Sequence, residues 1–243
     1  MMNKMFSILC SLLIMASCSK SALFDVGSVE TREIILPTSI DNIEVRSIFA
    51  LSVCNDTVNK IIITCGKNIQ SFVHASFING KLKLTHDDKY QWSRDYKKIK
   101  IEIHSTTLPR FDVYEPISFT SIDTLKGANF TYVDWGRLSE VNVQLNVQQV
   151  QLSMSTTNFG YFKLKGSCDY ATIWACGTCV VHADSLLSRQ CTVLQRGRGD
   201  VYVHPSQSLN ATIELSGNVY CYGNPAVVLT ATKNATGKII LLK

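Results

Sequence analysis

Four stretches in the C-terminal half of the chain share one spacing: ATIWACG (171–177), CTVLQRG (191–197), ATIELSG (211–217) and ATKNATG (231–237). A threonine at the second position and a glycine at the last recur every 20 residues. A second segment rich in β-branched or apolar residues follows each glycine, in the order CVVHA, DVYVH, VYCY and IILL. Short repeats without helical periodicity are typical of solenoids, in which each repeat forms one turn that stacks on its neighbours. The C-terminal half is therefore predicted to be all-β, a parallel β-helix or β-solenoid with repeats of about 20 residues.

Alternation within the repeats predicts which side chains fill the interior. Because successive side chains of a strand point to opposite faces, Ala171, Ile173 and Ala175 share one face, and that face is apolar. The residues predicted to stack above them are Cys191, Val193, Ala211, Ile213 and Leu215. The threonine ladder then points outward with Trp174, Leu194 and Glu214. Two polar residues break the inner set: Lys233 lies in the last repeat, where the core opens to solvent, whereas nothing in the sequence accounts for Gln195.

The recurrent glycine marks a corner at which the backbone needs either a positive φ or the absence of a Cβ atom. Gly177 of the segment Cys176-Gly-Thr-Cys179 is the corner glycine of its repeat. A redox CxxC opens a helix, and a zinc site needs a second cysteine or histidine pair, but the repeats offer neither. We therefore interpret this segment as framework, with cysteines that are incidental or locally paired, and keep metal or redox chemistry as the alternative.

The N-terminus has the features of an export signal. Lys4 precedes an apolar run over residues 5–15, which is too short to span a bilayer. Ala16 and Ser17 then precede Cys18, which resembles the lipobox of bacterial lipoproteins. We predict that residues 1–17 are removed and that Cys18 carries lipid, which anchors the protein to the outer membrane. An ordinary secretory signal is the alternative.

Composition narrows the function. A net charge of +5 is small and scattered, which argues against nucleic acid as a partner.

The chain is predicted to divide into three parts after the leader: a tether with the first strand (18–38), an N-terminal β region (39–108) and the solenoid repeats (109–243). The Asn-Gly step at 79–80, before the alternating KLKLTH, predicts a hairpin. An odd number of cysteines remains after Cys18, so they cannot all pair within one chain; they are Cys54, Cys65, Cys168, Cys176, Cys179, Cys191 and Cys221.

The closing segment LNATIELSGNVYCYGNPAVVLTATKNATGKI (209–239) resembles the last repeats of the putative auto-transporter adhesin, head GIN domain family. IDNIEVRSIFALSVCND, NGKLKLTH and KKIKIEIHSTTLPRFDVYEP resemble its upstream strands. The chain has few of the doubled Gly-Ser-Gly turns of that family and keeps only Arg-Gly-Arg-Gly-Asp at 196–200. The resemblance implies a right-handed parallel β-helix, an exported lipoprotein of Bacteroidetes type, and adhesion or binding without catalytic residues or cofactors.

A bacterium of this type also O-glycosylates Asp-Ser/Thr sites that precede an aliphatic residue. The chain has three such sites, and they make Thr57, Thr124 and Ser185 candidates for O-glycosylation.

A catalytic function is the main alternative, because parallel β-helices also include polysaccharide lyases and hydrolases. Such enzymes need paired carboxylates on one face, whereas the acids of the repeats fall in different columns; they are Asp169, Asp184, Asp200 and Glu214. His182 and Asp184 could form a dyad, although His182 and His204 are equally typical of solvated strand ends. No GxSxG or phosphate loop occurs. We therefore expect no catalysis, no cofactor and no metal site.

Binding is the function that the outward residues favour. Trp135, Trp174, Tyr220 and Tyr222 are candidates to stack on sugar rings, with packing between turns as the alternative. We interpret the chain as a non-catalytic, lipid-anchored binding or adhesion module of the cell envelope, with glycans or host or envelope proteins as partners. A polysaccharide-active enzyme and a passive, partner-docking envelope protein are the alternatives. The sequence specifies neither the ligand nor the oligomeric state.

Overall fold

The computed structural model describes residues 25–88 and 98–242. The predicted leader and Cys18 lie outside these residues. The fold is almost entirely β, with 67% strand and 3% helix, and it forms a β-solenoid of about 7 turns with repeats about 20 residues apart. The predicted fold class is confirmed.

All strands belong to one sheet of 16 strands. They are β1 (Val29–Ile35), β2 (Asn42–Val45), β3 (Ala50–Asn55), β4 (Lys60–Gly66), β5 (Val73–Ile78), β6 (Lys81–His86), β7 (Lys100–Ser105), β8 (Arg110–Val113), β9 (Ser118–Asp134), β10 (Glu140–Met154), β11 (Tyr161–Gly177), β12 (Val180–Gly197), β13 (Val201–Ile213), β14 (Val219–Tyr222), β15 (Ala226–Ala231) and β16 (Ile239–Leu242). A 3-10 helix, Lys67–Phe72, separates β4 from β5.

Parallel pairing runs through most of the molecule. Strands β9 to β13 pair in chain order. Strands β2 and β3, which precede residue 109, pair in parallel with β8 and β9, respectively, and β8 pairs in parallel with β9. Antiparallel pairing is confined to the N-terminal end, where β1 lies on β4, β4 on β7, and β5 on β6. The predicted Asn-Gly hairpin is the β5–β6 turn, in which Asn79 and Gly80 both have positive φ (49° and 76°).

Strand β12 bends twice while it goes round one turn. Its inward and outward residues alternate except at Asp184–Ser185 and Arg189–Gln190, where two successive side chains point outward. Strict alternation belongs to a straight strand, so these two places are corners. The turn that β12 forms therefore has three straight segments, and the third segment ends at the recurrent glycine, Gly197.

The predicted interior is correct in its alternation but not in its register. Ala171 lies beside Cys191, as the 20-residue period requires. Between β12 and β13, however, Val193 pairs with Ala211, which is an offset of 18 residues. The difference arises at irregularities near the corners of β12. Because the shift is even, every side chain keeps its face: Ala211 and Ile213 are buried, whereas Leu215, predicted to be inside, follows the end of β13 and is 44% exposed.

Close backbone contacts explain the recurrent glycine. A Cβ atom at Gly217 would lie 2.3 Å from the Gly199 carbonyl oxygen, and one at Gly237 would lie 2.2 Å from that of Gly217. Only Gly177 of the four also has a positive φ, 69°. Of the two reasons predicted for this position, the absence of a Cβ atom is the general one.

The buried side chain of Gln195 closes a corner. Its Oε1 accepts a hydrogen bond from the Gly197 amide at 2.8 Å, and its Nε2 donates to the Gly199 carbonyl at 2.7 Å. Buried backbone groups need such partners wherever the ladder stops. Gln195, the polar residue in the predicted apolar column, therefore supplies hydrogen bonds to the backbone groups of the adjacent turn.

The Cys176-Gly-Thr-Cys179 segment is the corner between β11 and β12, and no helix follows it. Both thiols are buried and unpaired, as are the other five cysteines in the described chain. Burial raises the pKa of the Cys176 thiol and brings that of Cys179 to about 12. Residues 25–88 and 98–242 contain no cluster of three metal-ligating side chains. The segment forms a corner with two free thiols, so the local disulfide considered from the sequence is not formed, and its interpretation as framework stays a prediction.

Candidate functional site

A furrow follows the second half of β10 on the outside of the solenoid. Strand β10 forms its floor, and β9 and β11, one turn to either side, form its walls. One end encloses about 270 Å³ and is lined by Arg110, Val133, Asp134, Trp135, Gln151, Ser153, Met154, Ser155 and Trp174. The other end encloses about 380 Å³ and is lined by Asn129, Phe130, Thr131, Gln149, Val150, Gln151, Tyr170 and Thr172. Because both ends include Gln151, we treat them as one surface, the β10 furrow.

The furrow exists because side-chain size differs from turn to turn. In one outward column, Val133 of β9, Ser153 of β10 and Trp174 of β11 are register partners. Trp135 and Ser155 continue the pattern two residues further on, since the Ser155 amide donates to the Asp134 carbonyl at 2.9 Å. The small side chains of Ser153 and Ser155, which lie beside Trp174 and Trp135 respectively, leave a trough along β10.

Trp135 is held in place by neighbouring side chains. Its ring stacks on Tyr114 at 6.2 Å between centroids and 17° between planes. The guanidinium of Arg46 lies 3.4 Å from the centroid of the Tyr114 ring, a cation–π contact. The Trp135 Nε1 donates to Asp112 Oδ1 at 3.3 Å, and the residue stays 52% exposed. The packing between turns considered from the sequence is thus present and leaves about half of Trp135 open to a ligand.

An ion pair lies beside the indoles. Arg110 Nη2 donates to Asp112 Oδ1 at 2.9 Å and its Nε to Oδ2 at 3.0 Å, while Asn42 Nδ2 donates to Oδ2 at 2.6 Å. Although burial acts to raise it, these hydrogen bonds and the one from Trp135 hold the pKa of Asp112 below its usual value. The carboxylate is therefore ionised at neutral pH, and its charge offsets that of Arg110.

The two tyrosine candidates lie on a different face. Tyr220 stacks on Tyr202 at 4.6 Å and 9°, and Tyr202 stacks on His182 at 4.5 Å and 4°. Tyr222 contacts His204 at 6.1 Å between centroids. These residues belong to the first segment of each turn, before the corners, whereas Trp174 belongs to the third. The structure thus brings Trp135 and Trp174 together. It separates them from Tyr220 and Tyr222, which contact Tyr202 and His204, respectively, on the neighbouring turn.

The histidine–acid pair considered from the sequence is formed within a row of aromatic rings. His182 Nδ1 lies 3.2 Å from Asp184 Oδ1, and the ring stacks on Tyr202 and contacts Tyr161 at a tilt of 43°. This contact was one alternative considered from the sequence, and it forms part of an aromatic ladder.

A second contact, not anticipated from the sequence, joins Cys54, His104 and Asp56. The Cys54 Sγ and Asp56 Oδ2 both approach His104 Nδ1, at 3.3 and 2.8 Å. A nucleophile–base–acid relay needs both ring nitrogens, and burial raises the pKa of the Cys54 thiol. We therefore interpret the three residues as a local polar cluster, in which Cys54 and His104 are register partners and Asp56 contacts the His104 ring.

The remaining candidates fall outside the furrow. Thr57 and Ser185 are exposed and Thr124 is partly exposed. Thr57 Oγ1 donates to Asp56 Oδ1 at 3.3 Å, and Ser185 Oγ to Asp184 Oδ2 at 3.5 Å. The three positions remain predictions, and Cys18 lies beyond the described residues. Sequence reasoning missed Arg110, Gln151 and Ser153, because residues 110–165 show no visible period. It also missed Tyr170, which lies between that stretch and the first recognised repeat, ATIWACG.

Fold and surface together define a β-solenoid with a polar, aromatic-walled furrow on one face. A family model described as "Putative auto-transporter adhesin, head GIN domain" matches residues 40–225, and the chain belongs to this family. The resemblance predicted from residues 209–239 is confirmed. No helix within residues 25–88 and 98–242 has the length and apolar character needed to cross a membrane.

Solved structures share the fold at low sequence identity. A putative adhesin from Bacteroides fragilis is 20% identical with a TM-score of 0.76, over 88% of this chain and 97% of that chain. A putative adhesin from Parabacteroides merdae is 18% identical with a TM-score of 0.63, over 89% and 97%. A structure from Parabacteroides distasonis, described as a putative lipid binding protein, is 19% identical with a TM-score of 0.55, over 89% and 98%. No functionally curated protein gives a significant match.

Proposed function

We propose that this protein is an exported, lipid-anchored and non-catalytic binding module of the bacterial cell envelope, and that it acts as an adhesin through the β10 furrow. The observation that carries the proposal is the composition of the furrow. Trp135 and Trp174 stand half-exposed over a floor of amide and hydroxyl side chains. Apolar ring faces beside hydrogen-bonding groups suit ligands that present both, and sugars do so.

Membership of an adhesin family supports an exported, surface-associated role. The lipid anchor rests on the sequence around Cys18, where small residues precede the cysteine after a short apolar run. A cysteine with two or more acyl chains would hold the protein firmly at a membrane. The solenoid would then project its outer faces into the medium.

A polysaccharide-active enzyme is disfavoured by the two carboxyl groups closest to the furrow. Asp112 is ionised and held by Arg110 and Asn42. Asp134 pairs in register with Val113, the residue after Asp112, so its carboxyl points to the opposite, inner face and is fully buried. A general acid must reach the glycosidic oxygen, whereas the Asp134 carboxyl is buried and accepts a hydrogen bond from the Gly136 amide at 2.9 Å.

A lipid ligand, suggested by the description of one structural relative, fits the furrow less well. That relative is described as a putative lipid binding protein. The end of the furrow lined by Asn129, Gln149 and Tyr170 is rich in amides and hydroxyls, whereas an acyl chain favours a cavity that is apolar throughout. A hydroxyl-rich ligand matches these groups better.

Surface labelling tests the proposal. Intact cells that produce the protein are treated with a protease or with a membrane-impermeant label, and Cys18→Ala serves as the control for anchoring. We expect cleavage or labelling on whole cells, loss of acyl labelling in Cys18→Ala, and retention of purified protein on a glycan array. Protection until the outer membrane is broken would exclude adhesion and favour a periplasmic docking role.

A further inference from the structure

The β10 furrow has the dimensions of a site for a chain of several sugars, and the inference drawn from them rests on the proposed function. Outward floor positions run from Gln149 through Gln151 and Ser153 to Ser155. Six residues of strand span about 20 Å. The trough therefore follows β10 and crosses the solenoid axis, so an extended ligand would lie along the strand.

Aromatic rings stand on both walls of this trough. Trp135 rises from the β9 side, while Tyr170 and Trp174, each 46% exposed, rise from the β11 side. The walls belong to turns on either side of β10 and are therefore about 10 Å apart along the axis. A sugar ring between them can meet an aromatic face on each side. Trp135 is already held by Tyr114 and Asp112, so it needs no reordering when a ligand binds.

A hydroxyl at the floor lacks a partner. Ser153 is 8% exposed, and its Oγ makes no hydrogen bond to any residue that the structure describes. A buried hydroxyl without a partner costs free energy. The Ser153 Oγ is enclosed, so this residue shapes the floor by its small size, while the partly exposed Gln151 offers a donor and an acceptor to a ligand in the trough.

Charge in the furrow is balanced. Arg110 is held by Asp112 through two short hydrogen bonds. The end lined by Asn129, Gln149 and Tyr170 has no charged lining residue. An acidic polysaccharide would require an unpaired cation, so the lining favours an uncharged ligand.

We propose that the β10 furrow binds a neutral, linear polysaccharide that lies along β10, with one sugar ring held between Trp135 and Trp174 above Ser153. The flanking sugars hydrogen-bond to Gln151, Gln149 and Asn129. The proposed ligands of the β10 furrow are thus extended, uncharged glycans.

Calorimetric titration of the purified mature protein tests this assignment. The neutral probes are cellohexaose, mannohexaose and laminarihexaose, followed by an array of neutral glycans; the acidic probes are polygalacturonate and heparin. We expect a neutral probe to bind with an affinity that changes less than about twofold between low and high salt, because no ionic contact is screened. Trp174→Ala should weaken binding at least about tenfold.

Tyr161→Ala is the matched control, because Tyr161 is 44% exposed, similar to Trp174, but lies on the face of the aromatic ladder. Its affinity should equal that of the unmodified protein. An acidic probe that binds in a Trp174-dependent and salt-sensitive way would overturn the neutral assignment and leave the furrow as the adhesive site. Neutral binding that survives Trp174→Ala, or no binding of any neutral glycan, would overturn the inference. Loss of surface exposure on cells would instead overturn the proposed function.

Discussion

Replacement of Gln195 by leucine tests the account of the solenoid corner. The side chain is fully buried and pairs with the Gly197 amide and the Gly199 carbonyl. Leucine keeps most of the volume but leaves both backbone groups unpaired. Each buried, unsatisfied group costs about 1–3 kcal/mol, and burial of the leucine side chain offsets about 1–2 kcal/mol of the total. We expect Gln195→Leu to lower the free energy of unfolding by about 1–4 kcal/mol.

Gln190→Leu is the matched control, because Gln190 lies on the same strand and its side chain is exposed. Surface substitutions of this kind change stability by no more than about 0.5 kcal/mol. Equilibrium urea unfolding, followed by circular dichroism, gives the midpoint and slope for both variants. If the two variants unfold with equal free energy, the hydrogen bonds at the corner do not stabilise the fold and the explanation of Gln195 is wrong.

Backbone crowding at the corner glycine is tested by Gly177→Ala, with Gly223→Ala as the control, since both glycines have positive φ. A Cβ atom would lie 2.2 Å from the Asn158 carbonyl oxygen at Gly177, but 3.5 Å from the nearest atom at Gly223. Gly177→Ala should therefore lower the free energy of unfolding in urea by at least about 1 kcal/mol more than Gly223→Ala, and equal losses would contradict the close-contact argument. Burial raises the pKa of the Asp134 carboxyl, so the native protein holds the carboxyl proton to higher pH than the unfolded chain does. The free energy of unfolding should therefore fall as pH rises from about pH 4, the pKa of an unfolded aspartate, through the native pKa. Asp134→Asn should reduce this fall in urea unfolding, and an unchanged dependence of stability on pH would refute the prediction. All seven described thiols are buried, and burial brings the pKa of the Cys168 thiol to about 12. Because the thiolate is the reactive form, these thiols should react with Ellman's reagent slowly in the native protein and quickly in guanidinium. A rapid reaction in the native protein would show that the core opens.

The fold followed from the sequence because the interior of a solenoid repeats. The 20-residue period and the alternation of Ala171, Ile173 and Ala175 reflect a column that must be apolar at every turn. The 18-residue offset between β12 and β13 could not be recognised in the sequence, because it arises from irregularities at the corners and leaves every side chain on the same face. The hydrogen bonds of Gln195 were equally hidden, because their partners are backbone groups.

The binding surface was predictable only in part, and the reason is again geometric. Trp135 and Trp174 stood out as aromatic residues, but their proximity depends on offsets of 20 residues between β9 and β10 and 21 between β10 and β11. The segments concerned share no repeated residues that would reveal those offsets. Ser153 matters because it is small and lies between large neighbours, a property that exists only once the turns are stacked.

Neighbouring residues on β11 separate folding from binding. Ile173 is fully buried and Trp174 is half-exposed, because successive side chains point to opposite faces. Ile173→Ala should lower the free energy of unfolding by about 2–5 kcal/mol yet leave glycan affinity unchanged under conditions in which the protein stays folded. Trp174→Ala should abolish binding at a smaller stability cost, about 1–2 kcal/mol for the half of the indole that packs on the sheet. If both variants lose affinity in proportion to their loss of stability, the outer column is not independent of the core, and the β10 furrow is a by-product of packing and not a binding site.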